Sequence, residues 1–403
     1  MCRLLFATVR GDSGVRLTAV LRVREFRGLW LAELLSVGGD QLARVAVAVL
    51  VYRETASATW TTLSYAMTFL PTLLGSVLLA SLADRFRRRE LIVAIDLCRG
   101  LVAACMAVPG LPLPVLGVLI ALLSFAGGPF KAAQLSLMYQ VLGENYVRGL
   151  AIRTISTQLA QLVGFAAGGA VLTVVSPYVV LGLNAATFLI AAALVGRTVT
   201  SRPVVAGDER DGTGAVGRMI WRDPRLRGLI ALAWMVGLFV VPEGLAAPYT
   251  AELAAGVVAV GLLMAADPLG SMVGAWVSGR MTEYARQRML VPFAVLAGVP
   301  LVLCVLQPGV PVSVLLFGIS GAASTAYLIE TQAAFVKGIP EHCQGTAVGL
   351  GSAGVQASQG VAIALGGVVA DAVSPSTAIA LAGLAGAAFA VLVGVSWLRA
   401  RQG

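Results

Sequence analysis

The stretch A-S-L-A-D-R-F-R-R-R-E, residues 80–90, decides how the whole chain is read. An apolar run from about Trp60 to Leu82 leads into Asp84, Arg85, Arg87, Arg88, Arg89 and Glu90, and a second apolar run begins at Leu91. Four arginines so closely spaced cannot lie in hydrocarbon. They mark a short loop in water, and their charge assigns that loop to the cytoplasmic side. The sidedness of every other loop then follows by alternation.

Composition agrees with a membrane chain. Of 403 residues, 58% are hydrophobic and only 12% charged, with a mean hydropathy of +0.88. Soluble chains carry about a quarter charged residues. At about 20 apolar residues per crossing, the pattern predicts spans near 28–52, 58–82, 91–109, 113–138, 152–175 and 178–197. A second set follows near 227–250, 254–279, 289–306, 311–336, 345–371 and 376–398. The fold expected is all-α and integral to the membrane, with twelve transmembrane helices in two pseudo-symmetric six-helix halves. Residues 1–27 form a basic tail, 28–197 the first half, 198–226 a linker, 227–398 the second half and 399–403 a short tail. Met219, Ile220 and Trp221 in the linker suit either a plain flexible connection or a segment lying at the interface.

All but four of the 29 Lys and Arg residues fall on the side of the arginine loop. The exceptions are Arg53, on the opposite side, and Arg44, Arg99 and Lys131, inside spans. Both termini are therefore expected in the cytoplasm, and no cleavable signal segment is read at the start. The basic residues form no face interleaved with aromatics, so nucleic acid is not an expected partner. Five scattered cysteines and one histidine, His342, offer no disulfide framework, metal cage or nucleophile pair. No enzyme activity, metal or cofactor is expected. Without a phosphate-binding glycine loop, ATP-driven pumping is disfavoured.

Three ionisable residues share one face of the first span. Glu33, Asp40 and Arg44 are spaced i, i+7 and i+11, within about 40° at 100° per residue. Each costs roughly 2.5–3.5 kcal/mol at mid-bilayer, so the stripe must meet a wet cavity or charged partners. An Asp40–Arg44 pair at i, i+4 is the bland alternative. Lys131 follows Pro129 in the fourth span, where it can pair with an acid of the first span or neutralise an anionic substrate. Glu243 follows Pro242, Asp267 precedes Pro268, and Glu330 lies in the tenth span. Each is either a cavity acid or a buried, hydrogen-bonded one. Asp96 and Arg99 read as a structural pair near the cytoplasmic end of the third span. Trp60, Trp221 and Trp397 read as interface anchors.

The halves repeat one another weakly. Gly75-Ser76 precedes Arg85 as Gly270-Ser271 precedes Arg280. Gly168-Gly169 and Ser176-Pro177 recur as Gly366-Gly367 and Ser374-Pro375.

Leu82, Ala83, Asp84, Arg85, Arg88 and Arg89 resemble the loop between helices 2 and 3 of the major facilitator superfamily, although Ala80 and Arg87 replace its usual glycines. F-R-G-L-W-L-A with S-V-G-G-D, and G-G-P-F-K-A-A-Q with G-L-A-I-R, resemble the family's enterobactin-exporter-like branch. Gly164 to Gly169 is similar to its antiporter motif, with Phe165 in place of a proline; Gly164, Gly168 and Gly169 match. The resemblance implies alternating access and proton-driven export, with Asp84 meeting the start of helix 11 near Gly345 and Thr346. The expected protein is a monomeric exporter of small amphipathic molecules in the cell membrane, using the proton gradient as its energy source. A metabolite importer or exchanger, or a non-transporting relative, is the alternative.

Overall fold

Proline, glycine and capping side chains punctuate a chain that is 88% helical, with no strand among the described residues. The computed structural model describes residues 17–79, 86–202, 213–340 and 343–402. Asp84 and Arg85 of the arginine loop, and His342, lie outside the described residues.

The first half comprises α1 (Arg24–Thr55), α2 (Ala58–Ala66 and Leu70–Leu78), α3 (Arg88–Met106), α4 (Leu113–Phe125 and Gly127–Leu142), α5 (Tyr146–Val171) and α6 (Pro177–Thr198). The second comprises α7 (Pro224–Trp234, Val236–Gly244 and Ala246–Glu252), α8 (Val257–Arg280), α9 (Glu283–Val302), α10 (Val310–Lys337), α11 (Gln344–Ala372) and α12 (Pro375–Gln402). Each expected span thus has a helical counterpart. Ten stretches are long and apolar enough to cross a membrane by length and composition, one of them running from Leu113 to Val171 through both α4 and α5. The helix at the third expected span, α3, is not among the ten. It carries Arg88, Arg89, Glu90, Asp96 and Arg99; Glu90 is exposed at its start, whereas Asp96 and Arg99 are buried and Arg99 turns inward to another helix.

Helix starts and breaks have local causes. Asp223 accepts a hydrogen bond from the Arg225 amide at 2.8 Å, and Pro224 opens α7 where its missing N–H costs nothing. Farther along, α7 breaks at Met235 and again at Leu245, three residues before Pro248, leaving it in three pieces. The linker is more ordered than its composition promised. It contains a helix, Thr213–Arg222, whose Val216 and Ile220 are buried against Leu226, Ile230, Phe335 and Ala347. Trp221 stays half exposed and meets Trp234 edge to face.

The repeats seen in sequence occupy equivalent places. A Cβ on Gly75 would collide with the Phe125 carbonyl, packing α2 on α4; one on Gly270 would collide with the Gly318 carbonyl, packing α8 on α10. Gly169 lies against the backbone of Gly261, joining α5 to α8, and Gly367 lies against Ala58 and Thr62, joining α11 to α2. Small residues permit such close backbone approach.

The two ends of the bundle differ. Near the end away from the arginine loop, called the far end here, one continuous core joins Val45, Tyr65 and Phe165 of the first half to Phe239, Leu263 and Ile363 of the second. At the arginine-loop end the cores are separate: Leu29, Ile92 and Leu137 cluster within the first half, and Ile230, Phe335 and Ala347 within the second. Hydrogen bonds follow the same division. Asp371 at the end of α11 accepts from Ser57 Oγ at 2.7 Å, the Ala58 amide at 2.7 Å and the Thr59 amide at 3.0 Å. The halves are closed on each other at the far end.

Candidate functional site

The charged stripe of α1 is real, but each member takes its partner from a different helix. Arg153 of α5 bonds Glu33, its Nε donating at 2.8 Å. Arg99 of α3 donates to Asp40 at 2.9 Å, and Asn184 of α6 donates to the same carboxylate at 3.4 Å. Arg44 makes no pair with Asp40; its guanidinium lies over Tyr65 and Phe69, at 5.5 Å and 5.9 Å from the ring centres. Stacked there, it faces the junction of the halves. Tyr65 Oη donates to Glu243 of α7 at 2.5 Å, a bond that crosses from one half to the other.

The reading of Asp96 and Arg99 as a pair at a helix end needs correction. Both lie in the middle of α3, and Arg99 reaches out of that helix to α1. Its guanidinium bonds Asp40, stands 3.7 Å from Asp96, and covers the Phe188 ring at 4.2 Å. Asp96 is 0% exposed, and neither of its oxygens receives a hydrogen bond among the described residues. One cation thus serves two carboxylates. The available signal was that Arg99 is one of very few basic residues inside a span. Arg153, counted from sequence only among the basic residues on the arginine-loop side, lies within α5 and is the other partner missed.

These groups border a cavity of about 140 Å³ inside the first half. Asp40, Arg44, Arg99, Lys131 and Asn184 supply its polar wall, and Val47, Met106, Ile120 and Leu123 its apolar one. Lys131 follows the break in α4 at Ala126 and is exposed to this space.

The remaining candidates are dispersed. Glu330 is buried on α10 and accepts from Arg286 of α9 at 3.1 Å. Asp267, half buried on α8, lies against Gly321 of α10. Neither lines the cavity. In the arginine loop, Arg89 donates to the Gly196 carbonyl at the end of α6, Arg88 is partly buried, and Arg87 pairs with Glu90 at 3.5 Å. In α5, Gly164 fits against Gly38 and Gln41 of α1, Gly168 against Val45, and Gly169 against α8.

Two helical halves closed on each other at one end, with charged side chains gathered around a cavity within the first, define a multi-pass membrane protein of the transporter type. The chain belongs to the Major Facilitator Superfamily, whose family model matches residues 29–245. The fold is similar to that of a bacterial homologue of the human lysosomal transporter Spinster in an inward-facing, unoccupied conformation, with a TM-score of 0.74 at 14% identity. That alignment covers 97% of this chain and 98% of the other. It is also similar to the nucleoside transporter NupG, with a TM-score of 0.74 at 12% identity over 93% and 99% of the two chains. A bacterial homologue of the iron transporter ferroportin, in an inward-facing state, aligns with a TM-score of 0.68 at 14% identity over 94% and 98%. No curated protein matches the chain.

Proposed function

We propose that this protein is a proton-coupled exporter of small amphipathic organic molecules, acting as a monomer by alternating access in the cell membrane. The observation that carries this reading is the sharing of Arg99 between Asp40 and the fully buried Asp96. Two carboxylates on one guanidinium leave a net negative charge, which a proton can neutralise. Protonation of Asp40 frees Arg99 for Asp96, loosens α1 from α3 and reshapes the cavity wall. Substrate and proton then compete for the conformations of one site, as coupling requires.

On this reading the arginine-loop end is the cytoplasmic end, and closure at the far end corresponds to a protein that faces the cytoplasm. A cysteine introduced at Gly207, in the linker, is expected to resist an impermeant maleimide in intact cells and to react once the membrane is permeabilised. Labelling in intact cells would reverse the topology.

One proton moving inward through 100 mV releases about 2.3 kcal/mol. At about 1.4 kcal/mol per decade, that supports a roughly 40-fold gradient of a neutral substrate. Asp40→Asn is expected to abolish uphill export in energised vesicles while leaving downhill exchange measurable. A variant that still pumps uphill, and stops when the proton gradient is collapsed, would move coupling to Asp267 or Glu330. Accumulation in the opposite direction would favour an importer on the same fold.

A further inference from the structure

Among the described residues, Lys131 is the cavity cation left with neither an acid bonded to it nor a ring beneath it. Arg99 is bonded to Asp40, and Arg44 is stacked on two aromatic rings beside the Tyr65–Glu243 bond. Lys131 forms no ion pair or hydrogen bond among the described residues, yet its side chain is exposed to the cavity. The carboxylates close enough to act on it are Asp40 and Glu33, and each is already bonded to an arginine. The other charges acting on it are the guanidinium groups of Arg44, Arg99 and Arg153, all of like sign. An ammonium kept in the middle of a membrane among other cations is costly unless something neutralises it. Ammonium also offers three donors and no acceptor, so an oxygen anion suits it best.

We infer that the transported molecule is an amphipathic organic anion whose single carboxylate or similar acid group binds Lys131. This rests on the transporter reading and deepens it. The apolar body of the molecule lies along Met106, Ile120 and Leu123, which line the same cavity. The anion gives Lys131 a counter-charge of its own, so binding stabilises the occupied protein and favours the charged molecule over the same body without the charge. A cationic analogue would add a fifth positive charge beside Lys131, Arg44, Arg99 and Arg153.

The test uses three probes with one body: 4-phenylbutyrate, 4-phenylbutan-1-ol and 4-phenylbutylamine. Each is titrated into the full-length protein in mild detergent, and binding is read from the rise in unfolding temperature. The carboxylate is expected to bind at least tenfold more tightly than the alcohol, and the amine more weakly than either. Lys131→Met should erase the preference for the carboxylate, and Lys131→Arg should retain it. A preference for the amine, equal binding of all three, or a carboxylate preference that survives Lys131→Met would overturn the inference. So would silence toward all three head groups on both the phenyl body and a larger naphthyl body. Vesicles that accumulate the amine and reject the acid would overturn the anion and leave the transporter reading intact. Vesicles that accumulate none of the probes, while the binding preference holds, would do the reverse.

Discussion

Asp371→Ala is expected to open the far end of the protein. The carboxylate of Asp371 belongs to the second half, yet it caps α2 of the first, taking the Ala58 and Thr59 amides and the Ser57 hydroxyl. The first amides of a helix have no partner within it, and a negative charge placed there also meets the positive end of the helix dipole. Removing such a cap costs about 0.5–2 kcal/mol. Because Asp371 is solvent-exposed, its charge is partly screened, and a loss of about 0.5–1 kcal/mol is the reasonable scale. That loss falls on only one of the two conformations, the one in which α11 and α2 meet. The ratio of far-end-open to far-end-closed protein should therefore rise by a factor of about 2 to 5. Spin labels on Leu111 and Ala255, one in each half at this end, would report it as a growing population at longer distance. An unchanged distance distribution would show that Asp371 does not hold the closure.

Replacing Arg99 with methionine should cost more. Asp96 is completely buried, and among the described residues Arg99 is the only cation paired with it. Breaking a buried pair from one side costs about 3–5 kcal/mol, because the remaining charge is stranded in a medium that cannot solvate it. The variant also gives up the stacking of the guanidinium over Phe188 and Phe130. Adding Asp96→Asn removes the stranded charge, so the double variant should recover at least half of the lost stability. Unfolding in detergent, followed for wild type, both single variants and the double variant, measures the coupling directly. Wild-type stability in Arg99→Met, or no recovery in the double variant, would mean that Asp96 and Arg99 do not depend on each other.

Sequence carried the bundle and the charged stripe further than it carried the site. Loop charges and apolar lengths are local properties, so the helices fall close to where they were placed. The period of a helix also tells which residues share a face, and Glu33, Asp40 and Arg44 do share one. It does not tell which helix that face meets. Asp40 finds Arg99, and Glu33 finds Arg153, across separations set by packing alone. Arg44, offered by its i, i+4 spacing as the alternative partner of Asp40, lies over two aromatic rings instead. Asp371 attracted no notice because an acid at the end of a span looks like an ordinary water-facing residue. Its role depends on α2 beginning beside it. The linker helix was hidden for a related reason: Val216 and Ile220 gain burial only against residues of α7, α10 and α11.

The backbone contact between Gly169 and Gly261 has a mechanical meaning. Because neither residue has a side chain, the two halves meet there without interlocking knobs, and one can roll on the other without new rotamers. Such a point behaves as a bearing near one end of a long lever. From Gly261 to Arg280 is 19 residues of α8, about 28 Å at roughly 1.5 Å per residue. A turn of about 10° at the bearing would then swing the arginine-loop end through about 5 Å, room enough for a hydrocarbon chain to pass.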